Sequence, residues 1–232
     1  ASLFVKPFAL IFLPYLLFKK RFSALYFSFI YTLVFAFLPL FFYPSYAQFL
    51  DLYNAWFNEL NIEMSTKQNL FALRNHSIFS VIARSAYLDT ILVGVAVQQA
   101  FQLSILGIMA LSFLYYIKKG SYIVEAATGE LALLCAWIPL IAFSSQNAYL
   151  FSLPLLIYLF TAFDELNIWF KTLLVAACIL LGINIYELMG KASYQFLLDH
   201  SIYVYGSILL VAVAFKLRTQ RAAVATQKMP IL

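Results

Sequence analysis

Charge is what this 232-residue sequence has least of: Asp, Glu, Lys and Arg make up 11% of it, against roughly 25% in an ordinary soluble domain. That shortage excludes a water-soluble globule. Glycine and proline number seven each, histidine and cysteine two each. The paired Gly/Pro-broken helices and strong internal symmetry of a transporter are missing. Cys135 and Cys178 lie inside apolar runs, with no disulfide framework and no Cys-x-x-Cys pair, so they read as small packing groups. His76 and His200 have no metal-ligand spacing, and no structural metal is expected. Neither a phosphate-binding glycine loop nor a nucleophile elbow occurs, which leaves nucleotide hydrolysis and serine hydrolase chemistry unsupported. The net charge of +5 is scattered over several loops rather than gathered in a stripe, so nucleic acid is not an expected partner.

What the chain has is apolar surface: 64% hydrophobic residues, 19% aromatic, and a mean hydropathy of +0.89. A disordered chain lacks such residues. With about 20 apolar residues needed per crossing, the pattern predicts an all-α, polytopic transmembrane helix bundle of about seven spans, forming one transmembrane domain over residues 1–232. The spans are expected at residues 1–18, 24–42, 88–117, 131–143, 148–163, 170–186 and 201–215. Lys19, Lys20 and Arg21 close the first, Pro44 stops the second, and Lys118 and Lys119 close the third.

Orientation follows from the cations beside the span ends. Alternating seven spans, one side receives Lys19, Lys20, Arg21, Lys118, Lys119, Lys171, Lys216, Arg218, Arg221 and Lys228, and the other Lys6, Lys67, Arg74, Arg84 and Lys191. The richer side is the cytoplasmic one, which puts the carboxy terminus there and residues 44–87 on the outer side. A bacterial inner membrane is the expected location. The chain opens in an apolar run without a signal-peptide pattern, which reads as the carboxy-terminal part of a longer protein.

Within the outer segment, Leu52, Trp56 and Leu60 recur every four residues while Asp51, Asn54, Asn58 and Glu59 fall elsewhere on the wheel. The spacing predicts an amphipathic helix in the interface plane, or a lid packed on the bundle. Further on, Arg74-Asn75-His76-Ser77 precedes a short apolar piece and Arg84. A helix starting near Ser77 would aim its free amides and its positive dipole end outward between two arginines, a candidate anion site. Capping by Asn75 or Ser77, with arginines reaching to headgroups, accounts for the same residues. Asn75-His76-Ser77 also fits the short N-glycosylation sequon. Lys6, Asp89, Glu187, Asp199 and His200 are polar residues at outer span ends, where each is either an end-cap or a group facing a wet cavity.

Taken in order, several of these features resemble one family. Phe4-Val5-Lys6-Pro7, an apolar span and Lys19-Lys20-Arg21 are similar to the Lys-Pro segment of glycosyltransferase family 87, polyprenol-phosphate-mannose-dependent transferases of the GT-C class. The Trp56 helix and Asn75-His76-Ser77 resemble that family's outer amphipathic helix and Asn-Gln-Ser motif. The stretch from Ile138-Pro139 to Tyr149, before Leu153-Pro154, looks like its Ser-Pro-x-Ser-Trp-x-His region, and Tyr205-Gly206-Ser207 its final span.

The resemblance implies metal-independent sugar transfer, without a cofactor, from a polyprenyl-phosphate-linked donor to an acceptor hydroxyl outside the cytoplasm. On it, Arg84, Arg74 and Lys6 meet the donor phosphate, and Asn75, His76, Ser77, Gln146 and Asn147 face donor or acceptor. The catalytic aspartate of the class lies upstream of these residues. The family's histidine in the turn after the fourth span is replaced by Ser144, Gln146 and Asn147. Expected partners are membrane lipid and the lipid-linked donor. The competing reading is a non-catalytic integral subunit of a larger membrane complex.

Overall fold

The computed structural model describes residues 10–67, 70–73, 75–120, 126–142, 146–182 and 186–227. Among them every regular element is helical, as expected of an all-α membrane protein. The chain divides into two compact units, Ala1–Asn69 and Leu70–Leu232, so that helices of the 44–87 segment belong to both.

In the first unit, α1 (Phe12–Phe18) and α2 (Phe22–Phe37) are separated at the basic triplet, where Lys20 takes a left-handed φ of 53°. The helical stretch continues as a tight turn over Leu38–Phe41, giving Phe22–Phe41 the length and hydropathy of a membrane span. None of α2 is buried, and its Phe and Tyr side chains face outward on all sides, as lipid allows. After Pro44, Ser45 Oγ accepts a hydrogen bond from the Gln48 amide and opens α3 (Tyr46–Lys67). The Tyr53 hydroxyl donates to the Ala36 carbonyl and ties α3 to α2. Phe49 is buried, and Leu52, Tyr53, Trp56 and Leu60 are half-buried, while Asp51, Asn54, Asn58 and Glu59 are exposed. This is the two-faced helix that the four-residue spacing predicts.

The second unit holds α4 (Ile78–Ser85), α5 (Val95–Lys119), α6 (Ala126–Ile141), α7 (Leu153–Thr161), α8 (Ile168–Gly182), α9 (Tyr186–Asp199) and α10 (Ile202–Gln227). Its axis is α10, packed most extensively on α8 and also touching α5, α6 and α7. In a bilayer, apolar burial drives little association, so helices gain from close backbone approach. Gly206 supplies it: a β-carbon there would lie 2.9 Å from Leu181 Cγ and 3.2 Å from the Ala177 carbonyl. Leu174, Ala177, Leu210, Val213 and Leu217 complete the seam without exposure. Trp137 of α6 packs against Phe113 of α5 with centroids 5.3 Å apart.

Several boundaries differ from the sequence expectation. The third span begins at Val95 rather than 88, because residues Leu88–Thr90 form a tight turn and Gly94 stands at the helix start. The stretch expected as a fifth span is divided into a turn, Gln146–Ser152, and the short α7, with Pro154 near its start. The helix in place of the sixth span is described to Gly182, and residues 183–185, before the expected end at 186, lie outside the described residues. The seventh runs past 215 to Gln227, so Lys216, Arg218 and Arg221 lie on the helix itself. Among the described residues, Phe22–Phe41, Val95–Lys119 and Ile202–Thr226 are long and apolar enough to cross a membrane, while α6 and α8 are apolar but shorter.

Candidate functional site

The amino end of α4 is built by its own sequence. Ser77 takes an extended conformation and its Oγ accepts from the Ser80 amide at 3.3 Å, while Asn75 Oδ1 accepts from the Ser77 amide at 3.1 Å. Capping therefore occupies amides that an anion would otherwise use. What stays available is the cation in the last turn of α4. The Arg84 guanidinium reaches back so that Nη2 donates to Ser201 Oγ at 2.8 Å and, at 3.4 Å, to the Asn75 carbonyl.

His76 meets the same hydroxyl, with Nδ1 2.8 Å from Ser201 Oγ. Its ring lies edge-on to Tyr203 at 4.9 Å, and its carbonyl accepts from the Tyr149 hydroxyl at 2.5 Å. Tyr149 in turn packs on Tyr203 at 4.8 Å. Burial pushes the His76 pKa down to about 4, with the Arg84 charge adding to the shift and Asp199 opposing it. The imidazole is therefore neutral near pH 7. Burial also lowers the Arg84 pKa, against Tyr203, Asp199 and Tyr205, but a guanidinium keeps its proton in proteins.

The charge balance at Arg84 sets it apart. Arg218 and Arg221 each hold a glutamate, at 2.6 Å from Glu130 and 2.5 Å from Glu165 respectively. Arg84 is held by neutral oxygens; its Nη1, like that of Arg218, is buried without a hydrogen-bond partner among the described residues, so the difference lies in the carboxylate. A half-buried cation so placed favours an anion.

Beside this cluster, a groove of about 350 Å³ runs between the 146–152 turn, α7 and α8, lined by Gln146, Asn147, Tyr149, Leu150, Cys178 and Leu181 among others. Tyr149 belongs to both, forming groove wall and donor to His76. Gln146 is hydrogen-bonded to the Tyr194 hydroxyl of α9 at 2.8 Å, and Asn147 is exposed. The groove is polar at Gln146 and Asn147 and apolar along its leucines, a surface matched to an amphipathic molecule.

Of the residues singled out from sequence, Asn75, His76, Ser77 and Arg84 come together, and Gln146 and Asn147 line the adjoining groove. Lys6, Arg74 and the Glu187 side chain lie outside the described residues. Asp89 is exposed on a turn, and Asp199 accepts from Gln195 of its own helix at 2.7 Å. His200 is exposed, its ring on Phe196 at 4.1 Å. Sequence reasoning missed Ser201, Tyr203, Tyr149 and Tyr194. The Asp199-His200 pair pointed to the right junction but stopped one residue short.

A second polar cluster sits near the other end of α10, about 24 Å along the helix from its start. There Arg218 lies over the Tyr116 ring at 4.3 Å and donates through Nε to the Tyr116 carbonyl at 3.1 Å. Arg221 bonds Glu165 in a fork and donates to the Tyr158 hydroxyl at 3.1 Å. Those bonds hold the Glu165 carboxyl below its usual pKa. Among the described residues, no three His, Cys, Asp or Glu side chains gather closely enough to hold a metal ion.

Comparison with known proteins gives one family: the model for glycosyltransferase family 87 matches residues 2–161, more than half of the chain. The match includes the Lys-Pro opening, α3, the Asn75-His76-Ser77 segment and the groove turn. No curated protein and no solved structure matches the chain.

Proposed function

The chain belongs to glycosyltransferase family 87, and on that footing we propose that it transfers a sugar from a polyprenyl-phosphate donor to an acceptor hydroxyl on the outer face of the membrane. In this reaction the bond from the sugar's anomeric carbon to the phosphate oxygen breaks and a bond to the acceptor oxygen forms. Polyprenyl phosphate leaves with one more negative charge on its phosphate, balanced by the proton that the acceptor hydroxyl gives up to a base. A cation beside that oxygen stabilises the transition state more than the ground state.

The observation that carries this reading is Arg84, a half-buried guanidinium held by neutral oxygens beside a neutral histidine. The adjoining groove supports it, since its leucines suit an isoprenoid chain and Gln146 and Asn147 suit sugar or acceptor hydroxyls. Asn75 and Ser77 then serve by holding the loop that carries His76. Lys6 and Arg74 are further candidates for the phosphate, and the donor reaches its site through membrane lipid, with no cofactor. The protein sits in a bacterial inner membrane with its carboxy terminus cytoplasmic.

The test is sugar transfer from radiolabelled polyprenyl-phosphate mannose by the purified protein and its Arg84→Ala variant. A charge-assisted hydrogen bond contributes about 1.5–3 kcal/mol, so kcat/KM for the donor is expected to fall at least about ten-fold. Wild-type turnover and donor affinity in the variant would show the phosphate assignment to be wrong.

A further inference from the structure

Ser201 stands at the junction of α9 and α10 with a left-handed φ of 51°. Its amide donates to the Leu198 carbonyl and its carbonyl accepts from the Val204 amide, both at 2.9 Å. This is the position after a helix where glycine, free of a β-carbon, is usual. Among the described residues the other non-glycine positions of positive φ, Lys20 and Tyr87, are exposed, whereas Ser201 is fully buried. Backbone strain of this kind persists where the surroundings enforce it, and it gathers at functional sites.

What the serine provides in exchange is its hydroxyl. The group has one hydrogen and two lone pairs. Accepting from Arg84 Nη2, it can give its own proton to His76 Nδ1, which makes a directional chain from guanidinium to hydroxyl to imidazole. The guanidinium is a rigid planar fork, so fixing Nη2 fixes the direction of the whole group. Arg84 arrives on α4 and Ser201 from the α9–α10 junction, far apart in sequence, and this contact is what registers one against the other.

We propose that Ser201 is a positioning residue for the donor phosphate, its hydroxyl holding the Arg84 guanidinium in the orientation that meets the phosphate. The proposal rests on the reading of Arg84 given above. Ser201 does not touch the donor; it acts through Arg84.

The experiment measures equilibrium binding of undecaprenyl monophosphate to the purified full chain in detergent micelles, with thermal unfolding of the same samples. Ser201→Gly relieves the backbone but takes the hydroxyl from two buried partners, so it is expected to melt above Ser201→Ala while binding about ten-fold more weakly than wild type. Ser201→Ala keeps the strain and loses the hydroxyl, giving the same weakening with a lower melting temperature. Because the effect runs through Arg84, adding Ser201→Gly to Arg84→Ala should weaken binding no further. Wild-type binding by Ser201→Gly overturns the proposal, as does an additive double variant. Unchanged binding by Arg84→Ala would instead overturn the phosphate reading beneath it.

Discussion

Removing the charge of Glu130 should be among the most damaging changes this protein can suffer away from its candidate site. The Arg218 side chain is 1% exposed and that of Glu130 not at all, with 2.6 Å between Nη2 and Oε1. The guanidinium also donates to the carbonyls of Tyr116 and Ala126 and lies over the Tyr116 ring. Glu130→Gln keeps the shape and removes the countercharge. Unit charges about 4 Å apart attract by about 4 kcal/mol at an effective dielectric constant near 20. Breaking a buried pair costs about 3–5 kcal/mol because the survivor is left desolvated. Replacing both partners, as in Glu130→Leu with Arg218→Met, leaves no stranded charge, so the double variant should be more stable than either single one. The assay is unfolding of the detergent-solubilised protein by SDS titration, read on all four corners of the cycle. A loss under about 1 kcal/mol for Glu130→Gln, or simple additivity in the cycle, would refute the argument.

Acid should destabilise the protein through His76. Its folded-state pKa near 4 lies below the ordinary 6.5, so between those values the unfolded chain binds more protons. Stability is then full above about pH 6.5 and falls by about 3 kcal/mol as the pH drops toward 4. Unfolding midpoints measured across that range should flatten in His76→Gln; an unchanged slope would remove the histidine from the account. At the α8–α10 seam, Gly206→Val would put carbon atoms against Leu181 and the Ala177 carbonyl, lowering stability by about 2 kcal/mol in the same assay. An unfolding midpoint equal to wild type would contradict the close approach. Cysteines introduced at Asn58 and Thr226, in a background lacking Cys135 and Cys178, should react with impermeant reagents from opposite sides of the membrane. Labelling from one side would end the seven-span topology.

The sequence pattern anticipates structure best where the information is local. The half-buried stripe of α3 through Leu52, Trp56 and Leu60 follows from side-chain spacing alone, and the Ser77 cap from residue type before an apolar run. Local reading fails where a partner comes from far along the chain. The helix through Arg218 and Arg221 looks like a solvated tail until Glu130 and Glu165 are placed beside it. The same holds at the site: His76 and Arg84 stand out as polar residues near an apolar segment, but Ser201 is an ordinary serine until folding brings it to both. Its φ leaves no mark in the sequence, because glycine is the residue that would have signalled it.

Helix α10 is gripped at both ends, at its start by the Ser201 junction and near its end by two ion pairs. Such a rod can neither slide nor turn without releasing one grip. A single residue inserted between Ser207 and Phe215 would rotate one end against the other by about 100° and lengthen the rod by about 1.5 Å. Either the arginines would leave their glutamates, or the junction would leave His76 and Arg84. The number of residues in this helix is thus itself a constraint, independent of their identity. A substitution along its length is felt at the contacts of that residue, whereas a change of length shifts every contact beyond it.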